Sequence, residues 1–211
     1  MSRVRVGITM SLDGYVAGPD QSLDDPLGKG GGQLHEWVIE LAAWREEHGL
    51  EGGEVNASSA VIDGSLARAG ATIMGRNMFG GRGPWEGQEW NGWWGDEPPF
   101  HHPVFVLTHH PREPLELKGT TFYFVTDGIE SAMRQARDAA GDKDIMIGGG
   151  AQAVQQYLNA GLVDELRIDL VPVLLGDGER LLAGVNPGLK LEPAGVVVGP
   201  RATHLTYQRA E

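Results

Sequence analysis

Cysteine is absent from this chain of 211 residues, and no apolar run approaches the length of a membrane-spanning helix. Without cysteine, the protein has no disulfide bond, no thiolate metal ligand and no cysteine nucleophile. The first ten residues contain arginine but lack the long apolar segment and the cleavage site of a secretory signal. These absences predict a cytoplasmic protein that does not act at a membrane.

Basic side chains are scarce, since 17 Lys and Arg stand against 29 Asp and Glu and the formal net charge is −12. A surface this acidic repels phosphate backbones, which disfavours nucleic acid and leaves a small molecule as the expected partner. A nucleotide cofactor is still permitted, because one arginine and oriented backbone N–H groups can bind phosphate locally. No metal is expected, because His101 and His102 are adjacent loop residues without an acidic partner at a suitable spacing.

Strand and helix patterns alternate along most of the chain. Apolar residues at helical spacing predict helices over 33–48, 57–69, 129–136 and 151–160. Strands are predicted between them and consecutively at the C-terminal end, over 4–10, 71–74, 104–108, 121–125, 144–147, 166–170 and 204–209. This order predicts one α/β domain over residues 1–211, with a mostly parallel central sheet flanked by helices and antiparallel C-terminal strands.

Two glycine-containing turns follow predicted strands. Gly75 and Arg76 come at the carboxyl end of one strand, where α/β sheets bind ligands and where an arginine fork suits phosphate oxygens. Gly148, Gly149 and Gly150 separate another strand from a helix, so backbone N–H groups and the helix dipole favour an anion there. Alone, Gly-Arg after a strand is more often a turn with a solvated charge, and the triple glycine is equally compatible with a simple tight turn.

The order of these motifs is more specific than either one. The sequence resembles the NADPH-binding half of the dihydrofolate-reductase fold, in which two glycine turns flank the pyrophosphate and the end of an intervening strand meets the 2′-phosphate. The resemblance implies NADPH as cofactor and the following cofactor-binding residues: Gly75, Arg76 and Asn77 in the first turn, Leu107, Thr108 and His109 at the strand end, and Gly148, Gly149, Gly150 and Ala151 in the second turn.

Further motifs resemble the reductase domain of the bifunctional riboflavin-biosynthesis deaminase-reductase. They are Ser11–Gly14, Leu162–Leu166 and Val171–Gly178. The resemblance implies the three-layer dihydrofolate-reductase-like fold and a homodimer. The deaminase domain often fused to that reductase has no counterpart in this sequence.

Two positions depart from the patterns of these families. Dihydrofolate reductases carry an acidic residue three positions before an aromatic one, and Leu34 and Trp37 stand at those positions here. We expect both to contact substrate. Tyr15 stands where the riboflavin-pathway domain commonly has lysine. Asp13, just past the first strand, is a candidate for substrate binding or protonation and equally for an Asx turn.

The predicted function is transfer of hydride from NADPH to a C=N or C=O carbon of a small pyrimidine- or pterin-like heterocycle, as in 5-amino-6-(5-phosphoribosylamino)uracil reductase. The alternatives are a dihydrofolate reductase, which Leu34 disfavours, and a non-catalytic NADP-binding or sensing protein. A loop over 84–103 contains Trp85, Trp90, Trp93 and Trp94. This composition favours a ligand or subunit interface over packing alone.

Overall fold

A nine-stranded sheet forms the centre of the computed structural model, which describes residues 2–66, 68–80, 85 and 90–210, without the side chains of 63–66. The strands are β1 (Val4–Ser11), β2 (Tyr15–Ala17), β3 (Ala69–Gly75), β4 (Val104–Leu107), β5 (Leu115–Leu117), β6 (Thr120–Val125), β7 (Asp144–Gly149), β8 (Glu165–Val171), β9 (Glu179–Arg180), β10 (Leu191–Val198) and β11 (Thr203–Arg209). The helices are α1 (Glu36–Ile39), α2 (Ala42–Glu47), α3 (Ala57–Leu66), α4 (Arg76–Phe79), α5 (Ile129–Ala140) and α6 (Ala151–Asn159), and a 3-10 turn spans Gly31–His35.

The order of strands in the sheet is β10-β11-β8-β1-β7-β3-β4-β6-β5. The strands from β8 to β6 in this order are mutually parallel. At one edge β11 is antiparallel to β8 and β10 is antiparallel to β11, and at the other edge β5 is antiparallel to β6. β2 and β9 form a separate two-stranded ribbon. The predicted fold class, a mostly parallel sheet with antiparallel C-terminal strands, is confirmed.

The central strands are buried on both faces, which is why they appear in the sequence as continuous apolar runs. Ile73 on β3 belongs to the core that α5 and α6 cover, where Ala132 and Val154 pack. Met74, the next residue, points the other way and packs with Phe79 and Phe122. This alternation places helices or loops on both faces of the sheet and leaves the carboxyl edge of the parallel strands open.

The single helix predicted over 33–48 is wrong. The segment consists of the 3-10 turn, α1 and α2, because Leu41 between the two helices is extended, with φ −75° and ψ 139°. Residue 54 is the cause: the Glu54 N–H donates to the Glu40 carbonyl, and the Glu54 carbonyl accepts from the Ala42 N–H. These long-range hydrogen bonds replace helical ones at that point.

The helix over 151–160 and the strands around the two glycine turns lie within about two residues of their predicted bounds. Helix α3 ends at Leu66 and β3 begins at Ala69, so the helix is shorter than predicted. Residues 81–84 and 86–89 of the tryptophan-rich segment lie outside the described residues, and the rest of it contains no helix or strand. Among the described helices, none is long and apolar enough to cross a membrane.

Candidate functional site

A cavity of about 650 Å³ lies at the carboxyl edge of the parallel strands. It is bordered by the ends of β1, β7, β3, β4 and β6 and by the first turns of α4 and α6. Ligands bind at this edge in open α/β sheets because loops diverge there and helix N-termini point toward the opening. The position of the cavity therefore follows from the topology of the sheet.

All the residues that the sequence suggested for a cofactor line this cavity. They are Gly75, Arg76, Asn77, Leu107, Thr108, His109, Gly148, Gly149, Gly150 and Ala151. The register of the sheet brings them together, since Gly75 pairs with Leu107 on one side and Met74 pairs with Gly149 on the other. Three turns distant in sequence thus form one wall, which we call the glycine-lined half.

The glycine turn before α6 presents backbone rather than side chains to the cavity. Gly149 has a positive φ of 123°, a conformation that side-chain-bearing residues rarely adopt. Gly150 has an ordinary φ of −73°, and a β carbon built on it would meet no atom of the described residues within 4 Å, apart from its chain neighbours. Because Gly150 lines the cavity, such a carbon would extend into open space, and α6 begins directly after it. This wall suits a ligand that approaches the backbone closely.

The guanidinium of Arg76 is the clearest sign of a missing ligand. Its Nε, Nη1 and Nη2 atoms are buried and have no hydrogen-bond partner among the described residues. The group stacks on the Trp85 ring at 3.3 Å from the ring centre. Burial, and then the nearby positive charge of Arg112, lower the pKa of Arg76 to about 10. At neutral pH it remains a cation, and none of the described residues supplies its counter-ion, which is the character of an anion site.

The end of β4 adds polar groups to the same wall. Thr108 is buried, and its hydroxyl accepts a hydrogen bond from the His110 N–H at 3.1 Å. His109 is exposed and lines the cavity, and so does Thr126 at the end of β6. A hydroxyl-rich strand end next to a bare arginine is able to bind phosphate oxygens.

The remaining wall, which we call the apolar half, comes from β1, the ribbon and the loop before α1. Its lining residues are Ile8, Thr9, Val16, Ala17, Gln21, Pro26, Leu27, His35 and Glu179. Thr9 is held in place by the Trp37 indole, whose Nε1 donates to its hydroxyl at 3.3 Å. A mostly apolar surface with a few polar groups is typical of a pocket for a flat organic molecule.

Three predicted site residues do not line the cavity. Leu34 and Trp37 are buried beside it, in a cluster with Leu41, Val171 and Ala202. The Asp13 carboxylate accepts hydrogen bonds from the Ser11 hydroxyl and from the N–H groups of Leu175 and Gly176, at 2.6, 3.1 and 2.7 Å. The two N–H groups lie 162 and 163 residues from Asp13, so they are not the local backbone partners that an Asx turn requires. Asp13 is not among the residues that line the cavity.

Sequence reasoning missed His35, which lines the cavity although its neighbour Leu34 does not. The signal was available: Leu34, Trp37 and Leu41 have helical spacing and face the core, so a residue between them must point elsewhere. Thr9, Gln21 and Glu179 were also missed. They carry no motif, and only the packing of β1 against the ribbon brings them together.

The tryptophan-rich segment has a mixed role. Trp93 and Trp94 line the cavity. The indole N–H groups of Trp85, Trp90 and Trp93 donate to the carbonyls of His110, Phe79 and Met78 at 2.8, 2.9 and 2.8 Å. These hydrogen bonds fasten the loop to the sheet, so much of its tryptophan content is used in packing. In the part of the chain that the structure describes, no group of three or more His, Cys, Asp or Glu side chains is placed to hold a metal ion.

A parallel sheet with this edge topology and a cavity between two glycine turns defines the dihydrofolate-reductase-like class of α/β proteins. The chain belongs to the family of the RibD C-terminal domain, whose sequence pattern matches residues 2–205. The family resemblance drawn from the sequence motifs is therefore confirmed. The chain has the fold of the reductase domains of the riboflavin-pathway family.

Two curated proteins of Bacillus subtilis (strain 168) are similar over part of the chain. YyaP, an uncharacterized protein, is 36% identical over 69 residues, which cover 33% of this chain and 36% of YyaP. YwjB, also uncharacterized, is 30% identical over 87 residues, which cover 41% of this chain and 49% of YwjB. The chain thus matches about a third and about half of the length of these relatives.

Solved structures with the same fold cover the whole chain. A Shewanella sp. PV-4 protein assigned to riboflavin biosynthesis has a TM-score of 0.65 at 22% identity, with 100% of both chains covered. The Thermotoga maritima deaminase/5-amino-6-(5-phosphoribosylamino)uracil reductase has a TM-score of 0.58 at 11% identity, over 99% of this chain and 57% of that one. Enterococcus faecalis dihydrofolate reductase, in complex with NADP(H), has a TM-score of 0.55 at 13% identity, over 99% and 97%.

Proposed function

We propose that this protein is an NADPH-dependent reductase that transfers hydride to a C=N or C=O carbon of a small planar heterocycle. The observation that carries the proposal is the buried guanidinium of Arg76, a cavity-lining residue with no hydrogen-bond partner for this group among the described residues. A buried cation without a partner is costly, and the cost is removed when an anionic ligand binds. The 2′-phosphate and the pyrophosphate of NADPH supply such anions.

The residues of the glycine-lined half fit this cofactor. Arg76 and the strand-end hydroxyl of Thr108 would hold phosphate oxygens, and the N–H groups at the start of α6 would add partial positive charge. The bare backbone at Gly150 leaves room for a close approach. When bound, the cofactor supplies the hydride.

The apolar half would then position the substrate. Ile8 and Thr9 lie on the central strand β1, which neighbours β7, so a flat molecule against them lies beside the glycine turn. Ala17 and Leu27 provide apolar contact and exclude water. Holding two reactants in one cavity removes most of the entropic cost of bringing them together. Family membership favours a substrate with the aminouracil ring that 5-amino-6-(5-phosphoribosylamino)uracil contains.

Replacement of Arg76 tests the cofactor assignment. In Arg76→Gln, NADPH affinity should fall by roughly tenfold or more, because a charge-assisted hydrogen bond contributes about 1.5–3 kcal/mol. NADH, which lacks the 2′-phosphate, should bind the wild-type protein more weakly and lose less in the variant. Calorimetric titration of both cofactors measures this difference.

Arg201→Gln is a matched control. Arg201 is exposed, pairs with Glu54 at 3.6 Å and is not part of the cavity wall. The control should bind NADPH like the wild type. Equal affinity of the wild-type protein for NADPH and NADH would contradict the assignment of the 2′-phosphate to this site.

A further inference from the structure

His35 is a second polar group in the cavity without a partner. It ends the 3-10 turn Gly31–His35, and its neighbours Leu34 and Trp37 are anchored in the core. Because these neighbours fix the backbone, the imidazole is held in the wall of the apolar half. Its Nδ1 atom is buried and makes no hydrogen bond to any residue that the structure describes.

The surroundings of His35 favour a neutral ring. Burial lowers its pKa, and the negative charge of Asp169 partly opposes that effect. Asp169 is itself buried and engaged, since it accepts hydrogen bonds from His204 Nδ1 at 2.7 Å and from Arg167 Nε at 3.0 Å. A neutral imidazole has one donor and one acceptor nitrogen, so it can bind an N–H or a C=O edge of a heterocycle.

The charges of the apolar half point to the kind of molecule that it accepts. Among the described lining residues of this half there is no lysine or arginine, and Glu179 adds a carboxylate. The nearby cations are engaged elsewhere: Lys29 pairs with Asp20 at 2.6 Å, and the Arg180 guanidinium stacks over Tyr15. A phosphate group placed here would meet the Glu179 carboxylate and no cationic side chain among the described lining residues of this half.

We propose that the imidazole of His35 fixes the substrate by a direct hydrogen bond, and that this substrate is a planar heterocycle that carries no phosphate group. The inference rests on the proposed reductase function, since that function makes the occupant of the apolar half a substrate. It separates this protein from an enzyme that reduces a phosphoribosylated pyrimidine. The phosphate site of the cavity, at Arg76, is then reserved for the cofactor.

Two probes that differ only in a phosphate test the substrate class. The NADPH-saturated protein is titrated by calorimetry with 5-amino-6-(ribosylamino)uracil and with its 5′-phosphate. We expect the phosphate-free probe to bind about tenfold more tightly, because the phosphate is desolvated beside Glu179 without a counter-ion. Tighter binding of the 5′-phosphate, or failure of both probes to bind, would overturn the substrate class.

Substitution of His35 tests the hydrogen bond. His35→Phe keeps a planar ring and should weaken the phosphate-free probe about tenfold, because a polar edge of the probe is left unpaired. His35→Gln keeps a donor and an acceptor and should lose less. His48→Phe is the matched control, since His48 stacks on Trp44 and lies outside the cavity lining. Nitrogen NMR of the imidazoles should show a shift of His35, and none of His48, when the probe is added.

The outcomes separate this inference from the proposed function. NADPH affinity and the thermal unfolding midpoint report whether each His35 variant is folded. Normal NADPH binding with unchanged probe affinity in His35→Phe would overturn the inference and leave the reductase proposal intact. If the wild-type protein binds no NADPH, the reductase proposal fails, and titration of the probe into the protein alone still tests His35.

Discussion

Gly149 and Gly150 are adjacent in the cavity wall, but glycine is required at each for a different reason. At Gly149 the backbone demands it, because φ is 123° and any side chain there is strained. At Gly150 φ is −73°, which any residue adopts, and the described residues other than its chain neighbours leave the space of a β carbon empty. A substitution at Gly150 can therefore test ligand binding without a strained backbone, whereas a substitution at Gly149 affects folding as well.

Gly150→Ala is therefore expected to keep the fold and to weaken NADPH. Its thermal unfolding midpoint should stay close to that of the wild type, and NADPH affinity should fall about tenfold, since overfilling a close contact costs roughly 1–3 kcal/mol. Gly149→Ala should instead lower stability by about 1 kcal/mol or more. Calorimetry and thermal unfolding of both variants check this pair. Wild-type NADPH affinity in Gly150→Ala would show that the turn has only a structural role.

At the scale of elements, Asp13 links two segments that are far apart in sequence. Its carboxylate ties the turn between β1 and β2 to Leu175 and Gly176, which precede β9. The hydrogen bond from the Ser11 hydroxyl, followed by those from the two backbone N–H groups, lowers the pKa of Asp13 to about 2. The charged form is thus the one that holds the ribbon against the sheet.

Asp13→Asn is expected to lower stability in a pH-dependent way. Because the pKa of Asp13 falls from an ordinary 3.8 to about 2 on folding, its contribution is present above the ordinary value and is lost as pH falls toward 2. Urea unfolding at neutral pH should show a lower midpoint for the variant, and the gap from the wild type should narrow at about pH 3 and below. Unchanged stability with abolished turnover would instead favour a catalytic role for Asp13.

The elements that the sequence predicted well are those whose burial follows a regular pattern along the chain. β3 and β7 are buried on both faces and therefore appear as apolar runs, and α5 carries its buried residues at helical spacing. β10 escaped prediction because nearly all of its residues are exposed, and its pairing with β11 depends on the backbone. The break at Leu41 depends on Glu54, a partner that local periodicity does not contain.

The same distinction holds for the candidate site. The glycine-lined half was predictable because the order of its turns and strand ends resembles the NADPH-binding half of the dihydrofolate-reductase fold, and these turns follow the carboxyl ends of strands. The other wall was not, since Thr9, His35 and Glu179 come from three separate segments and are joined only by the packing of the ribbon. The spacing between Leu34 and Trp37 matches the acidic–aromatic pair of dihydrofolate reductases, and it predicts a substrate contact for Leu34. In the structure the same spacing places both residues on the core-facing side of the segment.

At the scale of the whole molecule, β10 is an unprotected edge of the nine-stranded sheet. Pro193 and a register shift between Pro193 and Gly195 interrupt its first half, which discourages pairing there. The second half carries Val196, Val197 and Val198, all of them exposed. An apolar edge of this kind is normally covered, and a second copy of the chain supplies a complementary edge by two-fold symmetry.

We therefore expect a homodimer that buries the valines of β10. Light scattering coupled to gel filtration should give twice the chain mass of 22.7 kDa for the wild type. Val197→Lys should give a monomer, because burial of an ammonium group without a partner opposes association by roughly several kcal/mol. Leu50→Lys, at an exposed apolar position outside the sheet, should remain dimeric. A monomeric wild type would contradict the dimer, and a Val197→Lys variant that stays dimeric would place the subunit contact elsewhere. NADPH binding by a monomeric variant would show that each cavity is complete within one chain.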